Sequence, residues 1–422
     1  MPPMPRPLPW PILALVVTLH LGAFGCRKRP VSPTESGPIA ALRARCDRRD
    51  LAACDTLGDR YEHGTEIATN DVLALDFYRR ACAGGLAAGC THQGWMREVG
   101  HGATRDLAAA AVLYRRACDT GHERGCTNLG WLHESGAGMT ADLPGALALY
   151  GRACAGNEGI ACGNLGRIHA DAEGVARDLP GAMTFFAKSC SHEAWPSCTR
   201  LGWMNESGAG TTVNYPEAAR LYLRACDGGE ARGCANLGWL YQNGAGVATD
   251  ANRARQLYER SCTAGNAVGC SNLATLYERG IGVAVDLARA VTWYQRACDG
   301  GNERACAALG SMYQDGRGTT QDYARALTLE ERACEGGNAM ACNNAGWIQN
   351  EAPGRPHDSA RALALYARGC ESGNALACAN LGSMYQHGVA VAVDLMRARS
   401  LYSLACNREL EAGCRLRDAL PR

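Results

Sequence analysis

Cysteine pairs recur along this chain at a constant spacing of 36 residues, and this period constrains the fold more than any other feature of the sequence. Each pair has the form C-x7-C. A motif that returns at a fixed period of about 20–50 residues is typical of repeat proteins, in which each unit contacts only its neighbours. We therefore expect the 422 residues to form a row of repeats and not two or three globular domains. The eleven pairs are Cys46 with Cys54, Cys82 with Cys90, Cys118 with Cys126, Cys154 with Cys162, Cys190 with Cys198, Cys226 with Cys234, Cys262 with Cys270, Cys298 with Cys306, Cys334 with Cys342, Cys370 with Cys378, and Cys406 with Cys414.

A helix is predicted upstream of each first cysteine, from which negative positions are counted. Position −12 is Asp or Asn in ten units, from Asn70 to Asp394, and such side chains accept hydrogen bonds from the free N–H groups at a helix start. Position −8 is alanine in all ten units, and position −4 is aromatic in nine, with Glu330 as the exception. The four-residue spacing places both positions on one face of the helix, where the small alanine allows a neighbouring backbone to approach closely.

A further helix is predicted downstream of each second cysteine, from which positive positions are counted. It carries Leu at +3, Gly at +4 and an apolar residue at +6, as in CANLGWLY. Gly at +10, such as Gly136, is expected to end this helix in the left-handed conformation. Ala172 and Ala352 replace that glycine in two units, where we expect a slightly different bend. The repeating unit is therefore a helical hairpin, and the fold class is all-α.

The cysteine pairs are predicted to form disulfides and not zinc sites. Zinc sites usually contain C-x2-C knuckles or supporting histidines, and this sequence has neither in a regular pattern. We favour a bridge within each C-x7-C pair, which would join one hairpin to the next at the joint where the stack would otherwise flex. A bridge within one hairpin, such as Cys54 with Cys82, is the alternative, because the beginning and the end of a hairpin also lie close together.

The N-terminal residues have the pattern of an export signal. Arg6 precedes the apolar run PILALVVTLHLGAFG, which is short for a membrane span and ends at Cys26. GAFGC resembles a bacterial lipobox, so we expect lipidation of Cys26, with a plain secretory signal as the alternative. Lipidation would also explain why the number of cysteines, 23, is odd. Residues 1–25 are thus assigned to a signal peptide, 26–38 to a flexible tether, and 39–422 to the repeats with a cap at each end. The expected location is the bacterial cell envelope, in the periplasm or at the outer membrane, or outside the cell.

The phrases NLGWLYQNGAGV and D…RA…LY.RAC, together with the 36-residue period, closely resemble the Sel-like repeat family, a branch of the tetratricopeptide-like superfamily. The cysteine pairs are similar to those of its Helicobacter cysteine-rich members, and the resemblance covers nearly everything after residue 40. It implies a right-handed α/α solenoid of ten 36-residue, disulfide-bridged helical hairpins. It also implies that the concave face binds a peptide or protein partner.

Positions +1, +5 and +8 lie about 160° around their helix from the leucine-bearing side, so we expect them to line an open face. In tetratricopeptide-like proteins the corresponding positions line the concave groove. A row of tryptophans beside carboxylates suits an extended chain with cationic groups, through ring stacking and charged hydrogen bonds. Alternatively, the tryptophans pack on the adjacent repeat and the glutamates form a solvated surface. Asn at +2, such as Asn128, is expected to hydrogen-bond between repeats, with contact to the backbone of a ligand as the alternative. The candidate groove residues are Trp95, Trp131, Trp203, Trp239 and Trp347 at +5, and Glu98, Glu134, Glu206 and Glu278 at +8.

The sequence contains no recognisable catalytic motif. Resemblance to the Helicobacter proteins implies penicillin binding or weak β-lactamase activity as an alternative function. Serine β-lactamases use S-x-x-K, and neither of the two lysines, Lys28 and Lys188, has Ser three residues before it. The ten histidines show no metal-binding spacing, and a formal net charge of +1 argues against a nucleic-acid partner. We therefore expect an exported, lipid-anchored scaffold that binds a peptide or protein, with cell-envelope proteins as candidates, and uses no metal or cofactor.

Overall fold

The computed structural model describes residues 37–354 and 356–421. The predicted signal peptide, most of the tether and Cys26 lie outside this range. Within it, the secondary structure consists of 22 helices and contains no strand. In chain order the helices are α1 (Pro38–Asp47), α2 (Leu51–His63), α3 (Asp71–Ala83), α4 (Ala87–Val99), α5 (Leu107–Asp119), α6 (Glu123–Ser135), α7 (Leu143–Ala155), α8 (Gly159–Asp171), α9 (Leu179–Ser191), α10 (Trp195–Ser207), α11 (Tyr215–Asp227), α12 (Ala231–Asn243), α13 (Ala251–Thr263), α14 (Ala267–Arg279), α15 (Leu287–Asp299), α16 (Glu303–Asp315), α17 (Tyr323–Glu335), α18 (Ala339–Glu351), α19 (Ser359–Glu371), α20 (Ala375–His387), α21 (Leu395–Asn407) and α22 (Glu411–Ala419).

Helices α2 to α21 form ten hairpins that stack into an α/α solenoid. In each hairpin an even-numbered helix, here called the A helix, is followed by an odd-numbered B helix. The two helices of a hairpin contact each other more extensively than either contacts the next hairpin. Single helices close the two ends: α1 packs on α2, and α22 packs on α21 and α20. Each end of the stack is therefore covered by one helix.

All ten B helices begin with the predicted cap. The Asp or Asn side chain at position −12 accepts a hydrogen bond from a backbone N–H two or three residues later, as between Asp106 and Ala109 at 2.9 Å. The A helices begin earlier than predicted, three residues before the second cysteine, as in α14 with Cys270. Asn266 caps α14 and accepts from the N–H of Gly269, a start signal that the sequence pattern had not indicated.

In seven of the ten hairpins a tyrosine ring lies against a glycine of the facing helix. The alanine at −8 is fully buried in every repeat, and most aromatic rings at −4 are buried as well, for example Ala146 and Tyr150. A Cβ atom on Gly130, at +4 of the facing A helix, would lie only 2.8 Å from the ring of Tyr150. The pattern Leu-Gly at +3 and +4 thus provides a buried leucine and then a bare backbone surface for the ring.

The glycine at +10 ends the A helices as predicted, since Gly136, for example, has a φ of 68°. Ala172 adopts the same left-handed conformation, with a φ of 57°, although this costs an L-residue about 1–2 kcal/mol. Ala352 instead leaves the left-handed region, with a φ of −63°. Of the two alanines for which a different bend was predicted, only Ala352 changes the way in which the helix ends.

The 22 cysteines of the described residues form eleven disulfides, each within one C-x7-C pair. The favoured pairing is confirmed, and the alternative between Cys54 and Cys82 is wrong. Each bridge joins the B helix of one hairpin to the A helix of the next, or a terminal cap helix to its neighbour. The bridges are Cys46 with Cys54, Cys82 with Cys90, Cys118 with Cys126, Cys154 with Cys162, Cys190 with Cys198, Cys226 with Cys234, Cys262 with Cys270, Cys298 with Cys306, Cys334 with Cys342, Cys370 with Cys378, and Cys406 with Cys414.

The bridged helices approach each other closely because small residues stand beside the cysteines. The Cα atoms of a pair lie between 4.4 and 4.8 Å apart. A Cβ atom on Gly125, next to Cys126, would lie 2.7 Å from the Cβ atom of Ala117 on the facing helix. Glycine at this position therefore makes room for the bridge.

We predict that removing a single bridge loosens one joint and not the whole solenoid. Replacing both Cys154 and Cys162 with Ala removes a ring of nine residues, which the chain-entropy model values at about 2.6 kcal/mol. Native-state hydrogen exchange should show lost protection in α7 and α8, with α17 and α18 unchanged as the internal control. Equal loss of protection along the entire chain would contradict this prediction.

Candidate functional site

The A helices form the inner layer of the solenoid. Neighbouring A helices contact one another directly, as α4 does α6 and α12 does α14. Neighbouring B helices are farther apart, and within residues 37–354 and 356–421 no such pair makes comparable contact. In a curved stack, the layer whose members are closest together lies on the inside. The exposed face of the A helices therefore lines the concave groove, where the tryptophans and glutamates were predicted.

The structure divides the five predicted tryptophans into two groups. Trp95 and Trp131, in neighbouring repeats, keep 37% and 40% of their surface exposed. Trp203, Trp239 and Trp347 are partly buried and pack against clusters of core residues. Both interpretations of the sequence thus apply, but to different residues. Trp95 and Trp131 thus expose more than a third of their surface, whereas the other three are partly exposed and also pack against the repeats.

The predicted glutamates at +8 all hold a tyrosine of the same hairpin. The hydroxyl at −4 donates to one carboxylate oxygen, Oε2, which neither the groove prediction nor its solvated alternative anticipated. The glutamates are half-buried and are not a freely solvated surface. The pairs and their oxygen–oxygen distances are Tyr78–Glu62 at 2.7 Å, Tyr114–Glu98 at 2.7 Å, Tyr150–Glu134 at 2.7 Å, Tyr222–Glu206 at 2.6 Å and Tyr294–Glu278 at 2.7 Å.

The surroundings keep the proton on the tyrosine. Burial, followed by the neighbouring charge of Glu98, raises the pKa of Tyr114 well above its usual value. Burial also raises the pKa of Glu98, against the hydrogen bond from Tyr114, which lowers it. The tyrosine is therefore the donor, and the second carboxylate oxygen, Oε1, is left for other contacts.

Two repeats show that the hydrogen bond does not require a charge. Gln242 accepts from Tyr258 at 2.9 Å, and Gln386 accepts from Tyr402 at 2.7 Å. The amide oxygen thus replaces the carboxylate oxygen at the same position. Exchanging Glu for Gln at +8 should therefore remove the charge and keep the packing of the hairpin.

Two other repeats lack this hydrogen bond because one or both members of the pair differ. Ala170 stands at +8 where Phe186 lacks a hydroxyl, so neither partner is polar. Asn350 is one carbon shorter than glutamine, and it bonds instead to Ser359 at 2.8 Å. The hydroxyl of Tyr366 is consequently buried with no hydrogen-bond partner among the described residues.

Glu330 replaces the tyrosine in one repeat and is completely buried. Its Oε1 accepts from Asn344 at 3.1 Å and from Ser311 at 3.2 Å. Its Oε2 and the Oε1 of Gln314, at +8 of the same hairpin, have no hydrogen-bond partner among the described residues. Burial raises the pKa of Glu330 to about 8, against the hydrogen bonds from Asn344 and Ser311 and with a small contribution from Asp315. Glu330 is therefore protonated at neutral pH.

Position +1 does not belong to the groove, which corrects the prediction made from the helix geometry. Thr127 is buried at the joint between hairpins, where its hydroxyl donates to Glu158 at 3.2 Å. The asparagines at +2 bridge repeats as predicted: Asn344 binds Glu330 of the preceding hairpin, and Asn380 donates to Asn343 at 2.8 Å. The open face is consequently narrower than predicted and consists mainly of positions +5 and +8.

Two arginines enter the groove, and the sequence pattern had indicated a role for neither. Arg167 stands at +5 of α8 in place of tryptophan and forms ion pairs with Glu134 of the preceding repeat and with Glu173. Arg317 follows α16 and binds Oε1 of Glu278 at 3.0 Å. These partners are 33 and 39 residues apart in sequence, so only the stacking of the hairpins reveals them. In both cases the guanidinium binds Oε1, the carboxylate oxygen to which the tyrosine does not donate.

The open face of the A helices combines aromatic rings with carboxylate and amide groups. Such groups can bind a ligand through apolar contacts and hydrogen bonds. No group of three or more potential metal ligands occurs in the described part of the chain. No helix there is long and apolar enough to cross a membrane.

We predict that the contribution of the tyrosine hydroxyl to the free energy of unfolding depends on its hydrogen-bond partner at +8. Tyr222→Phe leaves Glu206 without its donor and should lower the free energy of unfolding by about 1.5–3 kcal/mol. Tyr366→Phe is the matched control, because its hydroxyl has no partner, and should change stability by less than about 0.5 kcal/mol. Urea unfolding followed by circular dichroism measures both. Equal losses in the two variants would show that the hydroxyl contacts do not matter.

We predict that Glu330 makes stability depend on pH. The folded state retains its proton up to a pKa of about 8, whereas the unfolded chain loses it near the ordinary value of 4.5. Its contribution to stability is thus complete below about pH 4.5 and is lost as the pH rises through 8. Glu330→Gln should match the parent at pH 4 and exceed its stability at pH 9 by on the order of 1–3 kcal/mol. A difference that stays constant from pH 4 to 9 would contradict this prediction.

The profile of the Sel1 repeat matches ten consecutive segments: residues 52–86, 89–122, 124–158, 159–193, 195–230, 231–266, 267–302, 303–338, 339–374 and 375–409. These segments agree with the ten hairpins of the structure. Comparison with curated protein sequences gives no significant match.

Solved structures with the same repeat are similar to this chain. The c5321 protein, described as a protective antigen of uropathogenic Escherichia coli with an SLR fold, is 25% identical, with 90% of this chain and 81% of that chain covered and a TM-score of 0.67. A Sel1 repeat protein from Oxalobacter formigenes is 28% identical over 53% of this chain and 94% of its own, with a TM-score of 0.49. Helicobacter pylori cysteine-rich protein B is 28% identical over 32% of this chain and 98% of its own, with a TM-score of 0.27. Since the repeat profile extends over nearly all of the described helices, the chain belongs to the Sel1 repeat family, whose solenoid is a protein-interaction fold.

Proposed function

We propose that this protein is an exported, lipid-anchored scaffold that binds an extended peptide, or an extended segment of a protein partner, in the groove of the A helices. The observation that carries this proposal is the exposure of Trp95 and Trp131 at equivalent positions of neighbouring repeats. Two large aromatic rings on the concave side of a rigid stack provide a surface along which an extended chain can lie.

The groove is well suited to binding because its shape is fixed before a partner arrives. Tyrosine hydroxyls hold the glutamates at +8, and a disulfide joins each hairpin to the next. Binding of a partner therefore costs little conformational entropy in the groove, and this low cost favours affinity. The absence of S-x-x-K from the sequence gives no support to a serine β-lactamase mechanism.

Export is supported by the chemistry of the cysteines. Disulfides persist in oxidising compartments, and eleven of them form in the described residues. Cys26 is left over and follows the apolar N-terminal run, where a lipid would be attached. The description of the similar E. coli protein as a protective antigen is compatible with a location outside the cytoplasm.

The test compares two double variants. Peptides selected from a displayed library of random sequences are titrated against the oxidised full-length protein, with tryptophan fluorescence as the readout. Trp95→Ala combined with Trp131→Ala should weaken the selected peptides about tenfold or more, since buried aromatic anchors carry much of the energy of such contacts. Helix content should remain unchanged, because both rings are exposed.

The matched control is Val112→Ala combined with Leu223→Ala, which removes two exposed apolar side chains from B helices. This control should bind the peptides as the parent does. Isothermal titration calorimetry provides the affinities of both double variants without relying on the tryptophans. Equal affinity of the parent and the tryptophan variant would exclude the groove as the binding site.

A further inference from the structure

Building on the groove proposed above, we infer that it selects arginine side chains. The carboxylates of Glu98 and Glu206 are sites for guanidinium groups of the partner. Among the equivalent positions, Glu134 and Glu278 are already filled from within the chain, by Arg167 and Arg317.

Arg167 shows what a filled site looks like. Its guanidinium lies between Glu134 and Glu173, and the side chain as a whole is 26% exposed. Glu134 receives Tyr150 on Oε2 and Arg167 on Oε1, so both of its oxygens are bonded. Burial opposes the charge of Arg167, but the two carboxylates outweigh it and raise the pKa of the guanidinium.

Arg317 fills a second site from a different direction. It comes from the segment after α16 and reaches Oε1 of Glu278, while Tyr294 donates to Oε2 at 2.7 Å. Two arginines from different structural positions thus bind the equivalent carboxylate oxygen, Oε1, of two different glutamates. The shared feature is the half-buried carboxylate fixed by tyrosine, and this feature recurs at the open sites.

Glu98 and Glu206 are held in the same manner, by Tyr114 and Tyr222, but neither forms an ion pair with a described residue. Arg105 is near Glu98, yet its Nε donates to the backbone carbonyl of Glu98 and not to the carboxylate. A half-buried carboxylate without a direct ion pair is less well compensated than that of Glu134. An incoming guanidinium would complete both sites.

The open sites also carry the aromatic rings. Arg167 follows Glu134 by 33 residues, at position +5 of the next A helix. Trp131 occupies the equivalent position after Glu98, and Trp239 occupies it after Glu206. A tryptophan next to the carboxylate provides a face on which a planar guanidinium can stack while it donates to Oε1. Lysine can satisfy the charge, but its ammonium group has no planar face to stack on the ring. The arrangement therefore favours arginine over lysine.

Three synthetic peptides test the inference by calorimetry with the oxidised full-length protein: acetyl-(Gly-Arg)4-amide and its lysine and citrulline analogues. The arginine peptide should bind best. Replacing arginine with uncharged citrulline should weaken binding about tenfold or more, as expected when charged hydrogen bonds are lost. Replacement with lysine should weaken it less.

Glu98→Gln combined with Glu206→Gln removes the charge but keeps an acceptor for tyrosine, as Gln242 and Gln386 demonstrate. This variant should bind the arginine peptide about tenfold more weakly. The matched control is Glu259→Gln, on a B helix, where the half-exposed carboxylate meets only the side chain of Arg255. It changes the net charge in the same sense and should leave binding unaltered.

We expect Arg167→Ala to increase the affinity for the arginine peptide. A purely structural role of the carboxylates would not produce this increase. The substitution opens the site at Glu134, beside Glu98 along the groove, and should tighten the arginine peptide several-fold. Unaltered helix content confirms that the variant is folded.

The inference is overturned if the arginine and citrulline peptides bind equally, if no arginine peptide binds, or if neither the glutamine variant nor Arg167→Ala changes the affinity. Failure of the proposed groove looks different. In that case library peptides would not depend on Trp95 and Trp131. Library peptides that require both tryptophans but no arginine would leave the groove in place and remove only the selectivity proposed here.

Discussion

The packing of one tyrosine ring against one glycine underlies both the core and the inner surface of this solenoid. In the hairpin of α6 and α7, Tyr150 can lie flat against the A helix only because Gly130 has no Cβ atom. This position carries the hydroxyl to Glu134, which faces the groove. The core contact thus determines where the groove carboxylate lies and which of its oxygens remains available. The side chain at +8 therefore both accepts a hydrogen bond from the tyrosine of the core and contributes to the surface of the groove.

The joints between hairpins determine how these elements are repeated. Small residues beside the cysteines, such as Ala117 and Gly125, allow consecutive helices to approach until the Cα atoms of the bridged pair are less than 5 Å apart, as the value of 4.5 Å for Cys118 and Cys126 shows. The covalent bridge then limits sliding and bending between hairpins. Because the joint is nearly the same in every unit, the open faces of successive A helices stay aligned, and equivalent positions form rows.

Variation along these rows divides the groove into distinct parts. The first repeats combine exposed tryptophans with glutamates, Arg167 then interrupts the row, and the later repeats carry amides in place of several carboxylates. Glu330 marks a further difference, since a buried, protonated carboxyl replaces a tyrosine there. A solenoid can tolerate such changes because each hairpin contacts only its neighbours.

The sequence by itself determined the period, the helix type, the caps of the B helices and the disulfide pairs that it favoured. These features follow from local chemistry: Asp106 must accept from the N–H groups that follow it, and Gly136 must take the left-handed conformation. Glycine and alanine at fixed offsets also indicated close packing. Even the burial of Ala146 and Tyr150 was readable from their four-residue spacing.

Only the tertiary structure decided which groups touch across helices. The bond of Tyr222 to Glu206 joins residues 16 apart, and the contact of Arg167 with Glu134 joins residues 33 apart. It also separated Trp131, which is exposed, from Trp203, which packs on the core, although both occupy position +5. The physical reason is that these contacts depend on the distance and angle between neighbouring hairpins. Periodicity fixes the direction in which a side chain points, but only the packed stack fixes what it meets there.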